Sequence, residues 1–313
     1  MHKNWQQWEK SLKKIAGLSV HKNASLKNKT SFSNMSSAKW YVVVEQKNAL
    51  KQLIVLFNEC GLDWKKDWDV LGKGSNTLFK DEGYAGCIVD LSKAFASYEC
   101  ISNSAEGKTY KVGAGLSNVV LLNHLRKEKL KGFGYVFGIP GSIGGGLIMN
   151  AGTPLGWFGQ NVISVEGYHV NGEYLKWDVS EKDFEYRSFK KKKDFIVTEL
   201  KMFFQASDDL TIEQEIKQAK EKRKNQPLDK PNFGSVFKNP LPLFAGQLIE
   251  KALLKGTVIG DAKISEQHAN FIINQGHAKC SDALALIALM KSTVKTKFNV
   301  DLQQEVIVMG DAS

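Results

Sequence analysis

Glycine is concentrated in residues 138–152, GIPGSIGGGLIMNAG, where six of the fifteen positions are glycine. Glycine loses more conformational freedom on folding than other residues, so such a density is expected where the chain needs positive φ or where a ligand approaches the main chain closely. Successive N–H groups turned inward form a nest that binds an anion. The run therefore predicts a binding site for a large phosphorylated ligand; the alternative is a tight turn between two buried strands.

Two shorter glycine segments precede this run. GKGSN at residues 72–76 follows a strand-like segment and is a second candidate phosphate grip, although an ordinary turn explains it about as well. Gly113 and Gly115 open a helical pattern and mimic a dinucleotide fingerprint, but Asn118 stands at the third glycine position. No acidic residue follows about twenty positions later to bind a ribose, so a Rossmann site is not expected.

A serine and a glutamate in the last third are candidates for proton chemistry. Ser235 lies in GSVFKNP at residues 234–240, in a loop that contains no G-x-S-x-G motif. If Ser235 is catalytic, we expect it to move a proton rather than form a covalent bond; the alternative is a serine in an ordinary turn. Glu305 begins a buried-looking segment and is either a surface group at a strand edge or a placed acid.

The elements that must position these residues alternate between strand and helix. A strand is predicted at residues 40–44, followed by a helix with apolar positions 49–57 that Gly61 ends. This alternation indicates α/β layers. Asn171-Gly172 between two β-patterned segments, residues 162–170 and 173–177, predicts a hairpin.

The remaining pattern divides the second half of the chain near residue 207. The four lysines at 190–193 predict a solvated loop, and residues 195–204 predict a strand. The largely polar segment 212–225 predicts a solvent-facing helix. Beyond it the sequence predicts further elements: helices at 245–255 and 283–298, a strand-like segment at 269–274 and a closing strand from Gln304. In the second of these helices an apolar stripe predicts core residues at Ala283, Ile287, Met290, Val294 and Phe298.

Composition sets broad limits. The 313 residues favour about two domains, and the net charge of +10 favours anionic partners without identifying them. No apolar run approaches a membrane span and the N-terminus lacks a signal-peptide pattern, so we expect a cytoplasmic protein without membrane insertion. Four cysteines without C-x-x-C spacing indicate neither zinc nor disulfides, and we expect them to behave as small buried hydrophobic residues.

Six segments carry a combined signal: GKGSN at 72–76, GIPGSIGG with NAG at 138–152, YR at 186–187, GSVFKNP at 234–240, ISEQHANFIIN at 264–274 and LQQE at 302–305. Together these segments resemble the UDP-N-acetylenolpyruvoylglucosamine reductase (MurB) family and occur in the order expected for it. The short connection between Tyr186 and Ser235 resembles the form of the family that lacks an extra tyrosine-bearing loop.

The resemblance implies an α+β protein with a two-subdomain FAD-binding fold of the vanillyl-alcohol-oxidase (PCMH) type and a C-terminal α+β substrate domain. The corresponding limits are an N-terminal arm at 1–35, an FAD-binding domain at 36–205 with subdomains 36–95 and 96–205, and a UDP-sugar-binding domain at 206–313.

The resemblance also implies the reaction. NADPH would reduce a tightly bound FAD, and UDP-N-acetylglucosamine enolpyruvate would then be reduced to UDP-N-acetylmuramate for peptidoglycan synthesis by a monomeric enzyme. The alternatives are a flavin oxidase or dehydrogenase of the same fold acting on another substrate and a basic nucleic-acid-binding protein. The latter lacks a supporting motif here, and we expect neither nucleic acid nor metal as a partner.

Residue roles follow from the resemblance position by position. Ser235 would donate the proton, while Arg187 and Glu305 would polarise the substrate carboxylate and stabilise the developing charge. Glu305 would then be protonated or share a proton, because adjacent like charges favour the neutral form. The substrate-binding candidates are Arg223, Lys238, Asn239 and His268. The cofactor-binding candidates are Gly72, Gly74, Ser75, Asn76, Thr77, Gly138, Ile139, Pro140, Gly141, Ser142, Gly144, Gly145, Asn150, Ala151 and Gly152.

The sequence departs from the family pattern in three places. Ser36-Ser37 replaces a common glycine pair, TPLGWFG at 153–159 replaces a shorter small-Tyr-Gly sequence, and Gly146 stands where alanine is common. We expect these departures to change the wall beside the cofactor rather than the chemistry.

Overall fold

The computed structural model describes residues 3–310. Its α-helices over these residues are α1 Trp5–Leu12, α2 Lys47–Glu59, α3 Asn118–Lys127, α4 Ile143–Ile148, α5 Asp209–Arg223, α6 Ala245–Lys251 and α7 Cys280–Phe298. Its strands over the same residues are β1 Leu18–Ser25, β2 Ser37–Val44, β3 Trp68–Val70, β4 Thr77–Phe79, β5 Tyr84–Asp90, β6 Tyr98–Asn103, β7 Gly107–Gly113, β8 Leu130–Lys131, β9 Gly152–Thr153, β10 Gly156–Trp157, β11 Val162–His169, β12 Tyr174–Asp178, β13 Phe184–Glu185, β14 Ser188–Phe189, β15 Phe195–Ala206, β16 Asn232–Ser235, β17 Val258–Ile259, β18 Ala262–Ile264, β19 Phe271–Asn274 and β20 Ile307–Met309.

The chain divides into two compact units that alternate along the sequence. The first contains the N-terminal residues up to His21 with residues 41–72 and 86–222, and the second contains residues 22–40, 73–85 and those from Arg223 onward. The domain limits inferred from the family resemblance stay a prediction. Within residues 3–310 no helix is both long and apolar enough to cross a membrane.

A six-stranded antiparallel sheet forms the larger layer of the first unit, in the order β12-β11-β15-β7-β6, with β8 paired to β15. Its central strand β15 alternates buried and more exposed residues in its second half, as expected for a sheet with one covered face. The predicted hairpin is confirmed as β11 and β12, with Gly172 at φ +93° in the turn.

A four-stranded sheet of order β1-β2-β5-β3 accompanies α2, whose buried positions Ala49, Leu50, Leu53, Ile54 and Phe57 are the apolar stripe seen in the sequence. Residues 1–35 are expected to form a peripheral arm, yet α1 packs into the first unit. Trp8 is fully buried and its ring stacks on Phe57, with 5.5 Å between ring centroids. This N-terminal helix therefore contributes to the core.

The second unit has its own sheet, in the order β16-β19-β18-β17, and a separate parallel pair formed by β20 and β4. The long helix α7 covers this core with Ala283, Ile287, Met290 and Val294, which are buried as the apolar stripe predicts. Helices and mainly antiparallel sheets occur in both units, consistent with the predicted α+β class.

The glycine run 138–152 contains helix α4, which excludes its alternative interpretation as a simple turn between two strands. Four local predictions are wrong in detail. Helix α5 is not polar all round, because Ile212, Ile216 and Ala219 are buried. Helix α6 ends at Lys251, and the closing strand begins at Ile307, after Glu305. Cys100 is exposed, whereas the other cysteines are buried.

Candidate functional site

The glycine-rich run and the first glycine segment meet around one hydroxyl group in the first unit. Ser142 is the N-cap of α4, and its Oγ accepts a hydrogen bond from the amide of Gly145 at 3.3 Å. A Cβ at Gly72 would stand only 2.8 Å from this Oγ, so any other residue there would displace the hydroxyl. Two segments that the sequence assigns to phosphate binding therefore lie side by side.

The connection between β7 and α3 makes hydrogen bonds to the residues at the start of α4. The amide of Gly144 donates to the carbonyl oxygen of Ala114 at 2.8 Å, and that of Asn118 donates to Gly141 at 3.1 Å. A Cβ at Gly115 would lie 2.4 Å from the carbonyl oxygen of Leu91. The close backbone approach explains the glycine of this connection without a dinucleotide site.

Arg187 occupies a constrained position in the first unit. It lies in the two-residue turn between β13 and β14 with φ +60°, a conformation that costs a residue with a Cβ roughly 1–2 kcal/mol. Its Nη1 donates to the carbonyl oxygen of Gly152 at 2.9 Å. Strain of this kind is frequently retained at functional sites.

Asn150 lies next to that contact but does not face outward. It is 6% exposed, its Nδ2 donates to the carbonyl oxygen of Glu185 at 3.0 Å, and its Oδ1 accepts from the amide of Gly159 at 3.0 Å. Both polar ends of this predicted cofactor ligand are therefore engaged by the protein.

In the second unit, Ser235 and Glu305 belong to adjacent segments. The amide of Glu305 donates to the carbonyl oxygen of Val236 at 2.8 Å. The Nδ2 of Asn76, the last residue of GKGSN, donates to the carbonyl oxygen of Glu305 at 3.1 Å. This segment therefore also holds the main chain at Glu305. The main-chain contacts of Val236, the residue after Ser235, thus join the two catalytic candidates of this unit.

Asn270 is a buried residue whose role the sequence did not reveal. Its Oδ1 accepts from the amide of Phe237 at 3.0 Å and its Nδ2 donates to the carbonyl oxygen of the same residue at 2.8 Å. The Asn270 carbonyl also accepts from Val236. An asparagine inside a strand-like apolar segment was the available signal, because a buried amide requires partners.

The substrate-binding candidates lie in the second unit. Asn239 accepts the amide of Ala245 at the start of α6 through Oδ1, at 3.1 Å. His268 lies against the same helix, because a Cβ at Gly246 would stand 3.0 Å from its Cε1. Asn239 and His268 therefore both contact the first turn of α6, while the main-chain amide of Lys238 donates to Gln303 at 2.9 Å.

His268 is held as a neutral donor. Burial lowers its pKa, the charge of Lys255 acts in the same direction, and Arg223 adds a smaller effect of that sign. Its Nδ1 accepts the amide of Asn270 at 3.2 Å, so Nε2 carries the hydrogen in the neutral ring.

The predicted residues are thus distributed over both units. The first unit holds Gly72, Gly138, Ile139, Pro140, Gly141, Ser142, Gly144, Gly145, Asn150, Ala151, Gly152 and Arg187. The second holds Gly74, Ser75, Asn76, Thr77, Arg223, Ser235, Lys238, Asn239, His268 and Glu305. Gly74 has a structural reason to be glycine, because a Cβ there would lie 2.2 Å from the carbonyl oxygen of Lys29.

Two models of known families match parts of this chain. A family model of the FAD binding domain matches residues 38–178, which makes the protein a flavoprotein with the predicted FAD-binding fold. A second model, the C-terminal domain of UDP-N-acetylenolpyruvoylglucosamine reductase, matches residues 226–309. The chain belongs to the UDP-N-acetylenolpyruvoylglucosamine reductase family.

Relatives match over nearly the full chain. The UDP-N-acetylenolpyruvoylglucosamine reductase of Halalkalibacterium halodurans is 36% identical over 309 residues, covering 98% of this chain and 99% of its own. The Bacillus subtilis enzyme of that name is 36% identical over 92% of this chain and 93% of its own. The crystal structure of the Thermus caldophilus enzyme has a TM-score of 0.77 and 29% identity, covering 93% of this chain and 98% of its own.

The residues of the first unit fit FAD. Gly72 and Gly145 are exposed glycines, and a Cβ at either position would lie within 3.3 Å of the Ser142 Oγ, so their missing side chains leave space beside this hydroxyl. A pyrophosphate requires hydrogen-bond donors, and the hydroxyl, which accepts from the amide of Gly145, can still donate its own hydrogen. The cradle that a Cβ at Gly72 would fill is therefore suited to the phosphate part of the cofactor.

Proposed function

We propose that this protein reduces UDP-N-acetylglucosamine enolpyruvate to UDP-N-acetylmuramate, using NADPH as the electron donor and tightly bound FAD as the cofactor. The observation that carries the proposal is 36% identity to a reductase of this name over 98% of the chain. The flavin oxidase alternative has no observation in its favour, because the C-terminal family model also matches.

The first unit would hold the cofactor. Gly72, Gly141 and Gly145 would let the pyrophosphate approach the main chain closely, and the Ser142 hydroxyl would donate a hydrogen bond to it. When bound, FAD supplies hydride chemistry that no amino-acid side chain provides. The protein's own contribution is then to orient the enolpyruvyl group and to stabilise the charge that develops on it.

Ser235 would donate the proton to the substrate carbon next to the carboxylate. A serine hydroxyl is a weak acid, so this transfer requires a strongly basic carbanion and a hydroxyl that is already aimed. The main-chain hydrogen bonds of the neighbouring Val236 to Asn270 and Glu305 support a fixed position for this serine. Asn270 would therefore contribute to orientation without touching the substrate.

Arg187 and Glu305 would stabilise the substrate carboxylate and the adjacent negative charge. A guanidinium group binds a carboxylate through paired hydrogen bonds, which fixes its plane as well as its charge. Glu305 would act in its protonated form, because a second carboxylate ion beside that of the substrate would repel it.

Arg223 and Lys238 would neutralise the diphosphate of the UDP-sugar, and Asn239 and His268 would donate hydrogen bonds to it. The neutral ring of His268 can donate this hydrogen bond from Nε2 without a change in charge. We place the reaction in the cytoplasm as a step of peptidoglycan precursor and cell-wall synthesis that supports cell shape and division, and we expect a monomer.

An assay of NADPH consumption combined with product analysis tests the proposal. Purified holoenzyme is mixed with NADPH and UDP-N-acetylglucosamine enolpyruvate, and the product is weighed by mass spectrometry. We expect NADPH consumption that depends on the sugar nucleotide and a product heavier by two hydrogen atoms. In deuterated water the carbon next to the carboxylate should carry deuterium. NADPH consumption without this product, with oxygen as the acceptor, would instead indicate a flavin oxidase.

A further inference from the structure

The short segment between α4 and β9 is tied to the turn that carries Arg187. Asn150 donates from Nδ2 to the carbonyl oxygen of Glu185, which lies two residues before Arg187. Arg187 in turn donates from Nη1 to the carbonyl oxygen of Gly152, two residues after Asn150. The two hydrogen bonds, 3.0 and 2.9 Å long, close a ring between residues 150–152 and 185–187.

The same asparagine also fixes the other side of its own segment. Its Oδ1 accepts the amide of Gly159 at 3.0 Å, and the amide of Phe158 donates to the carbonyl oxygen of Ala151 at 2.9 Å. Asn150 therefore joins the end of the glycine run to two other segments by means of one buried side chain.

The position restricts which residue can do this. Asn150 has φ +39°, and asparagine is among the few residues that tolerate positive φ. It must also present a donor and an acceptor at once in a buried environment, where a lost hydrogen bond leaves a polar group unsatisfied. Aspartate supplies only acceptors when ionised, and glycine supplies neither group.

We propose that Asn150 is a positioning residue for Arg187 rather than a ligand of the cofactor, and that it sets the direction of the guanidinium group toward the substrate carboxylate. This inference rests on the proposed function, because it assigns Arg187 to that carboxylate. Small displacements of a binding group can cost orders of magnitude in rate, so the hydrogen bond to Glu185 matters beyond its own strength.

The experiment compares Asn150→Asp and Asn150→Gly with wild-type holoenzyme. Asn150→Asp retains an acceptor for Gly159 but loses the donor to Glu185, and Asn150→Gly keeps the positive φ without the side chain. The measurements are the FAD content, the affinity of the oxidised enzyme for UDP-N-acetylmuramate, and the rates of flavin reduction by NADPH and of reoxidation by the enolpyruvyl substrate.

We expect both variants to retain FAD and to be reduced by NADPH at the wild-type rate. Reoxidation by the enolpyruvyl substrate should fall by about tenfold or more, and product affinity should weaken. In combination with Arg187→Lys, either change should add little further loss, because both substitutions disturb the same carboxylate contact.

Asn161→Asp is the matched control. Asn161 is another buried asparagine of the first unit whose Nδ2 donates to a backbone carbonyl oxygen, that of Phe203 at 3.3 Å. Any fold decrease that Asn161→Asp causes in the rate of flavin reoxidation should multiply with the fold decrease caused by Arg187→Lys in the double variant. The positioning role would be overturned if the rate decreases of the Asn150 variants also multiplied with that of Arg187→Lys. Loss of FAD in both Asn150 variants would overturn it as well. If wild-type flavin is not reoxidised by the substrate, the proposed function itself fails.

Discussion

The amide of Glu305 donates a hydrogen bond to the carbonyl oxygen of Val236 at 2.8 Å, which ties the glutamate to the residue that follows Ser235. The two candidate acids of the second unit are therefore adjacent in structure although seventy positions separate them in sequence. Proton delivery and charge stabilisation can then be tested separately at neighbouring backbone positions.

Ser235→Ala removes the proposed proton donor. General acid catalysis contributes roughly 10²–10⁴-fold, so we expect reoxidation of reduced flavin by the enolpyruvyl substrate to slow by about that factor. Reduction by NADPH should be unchanged, because it needs no proton from this serine. Stopped-flow absorbance measures both steps, and Ser292→Ala at an exposed position of α7 is the control. Wild-type reoxidation in Ser235→Ala would remove this residue from the chemistry.

Glu305→Gln and Glu305→Ala distinguish the form in which the glutamate acts. Glutamine retains a hydrogen-bond donor without a charge, whereas alanine retains neither. If Glu305 acts as a neutral donor, Glu305→Gln should keep a substantially larger fraction of kcat than Glu305→Ala. Equal and severe losses in steady-state turnover would count against that role.

Gly146→Ala tests the pairing of two positions in the first unit. A Cβ at Gly146 would lie 2.4 Å from Cε2 of Phe158, whose ring is fully buried. Overpacking of this kind costs about 1–3 kcal/mol, and we expect that loss in the free energy of unfolding by urea. The double variant with Phe158→Leu should lose less than the sum of the single variants. Strict additivity would show that the two side chains do not compete for space.

Leu253→Gly should stabilise the protein. Leu253 follows the C-terminus of α6 with φ +64° and is 83% exposed, so the leucine gains little from burial. Glycine avoids the steric cost of this conformation, and we expect a gain of about 1 kcal/mol in the free energy of unfolding. Leu253→Ala keeps a Cβ and should give no comparable gain; equal effects of the two substitutions would refute the explanation.

Sequence patterns predicted the fold best where periodicity and turn chemistry agreed. Asn171-Gly172 identified the hairpin of β11 and β12, and the apolar stripe of α7 identified one core surface. The burial of Trp8 was harder to predict, because the polar residues around it do not indicate that its ring packs against Phe57. The burial of Trp8 therefore depends on a contact with a residue distant in sequence, which the local pattern does not predict.

The candidate site was predictable in its glycines but not in its supporting contacts. The density of glycine at residues 138–152 indicated close backbone approach, and Gly72 and Ser142 do approach closely. The family resemblance predicted Asn150 as a cofactor ligand, yet its side chain makes hydrogen bonds to Glu185 and Gly159. Hydrogen bonds between distant segments have no signature in composition or spacing.

The most direct test of the proposed function is a visible absorbance spectrum of the purified holoenzyme under anaerobic conditions. NADPH is added first and UDP-N-acetylglucosamine enolpyruvate second. We predict a flavin spectrum that is bleached by NADPH and restored by the sugar nucleotide without oxygen. A flavin that stays reduced until oxygen is admitted would contradict the proposed reaction.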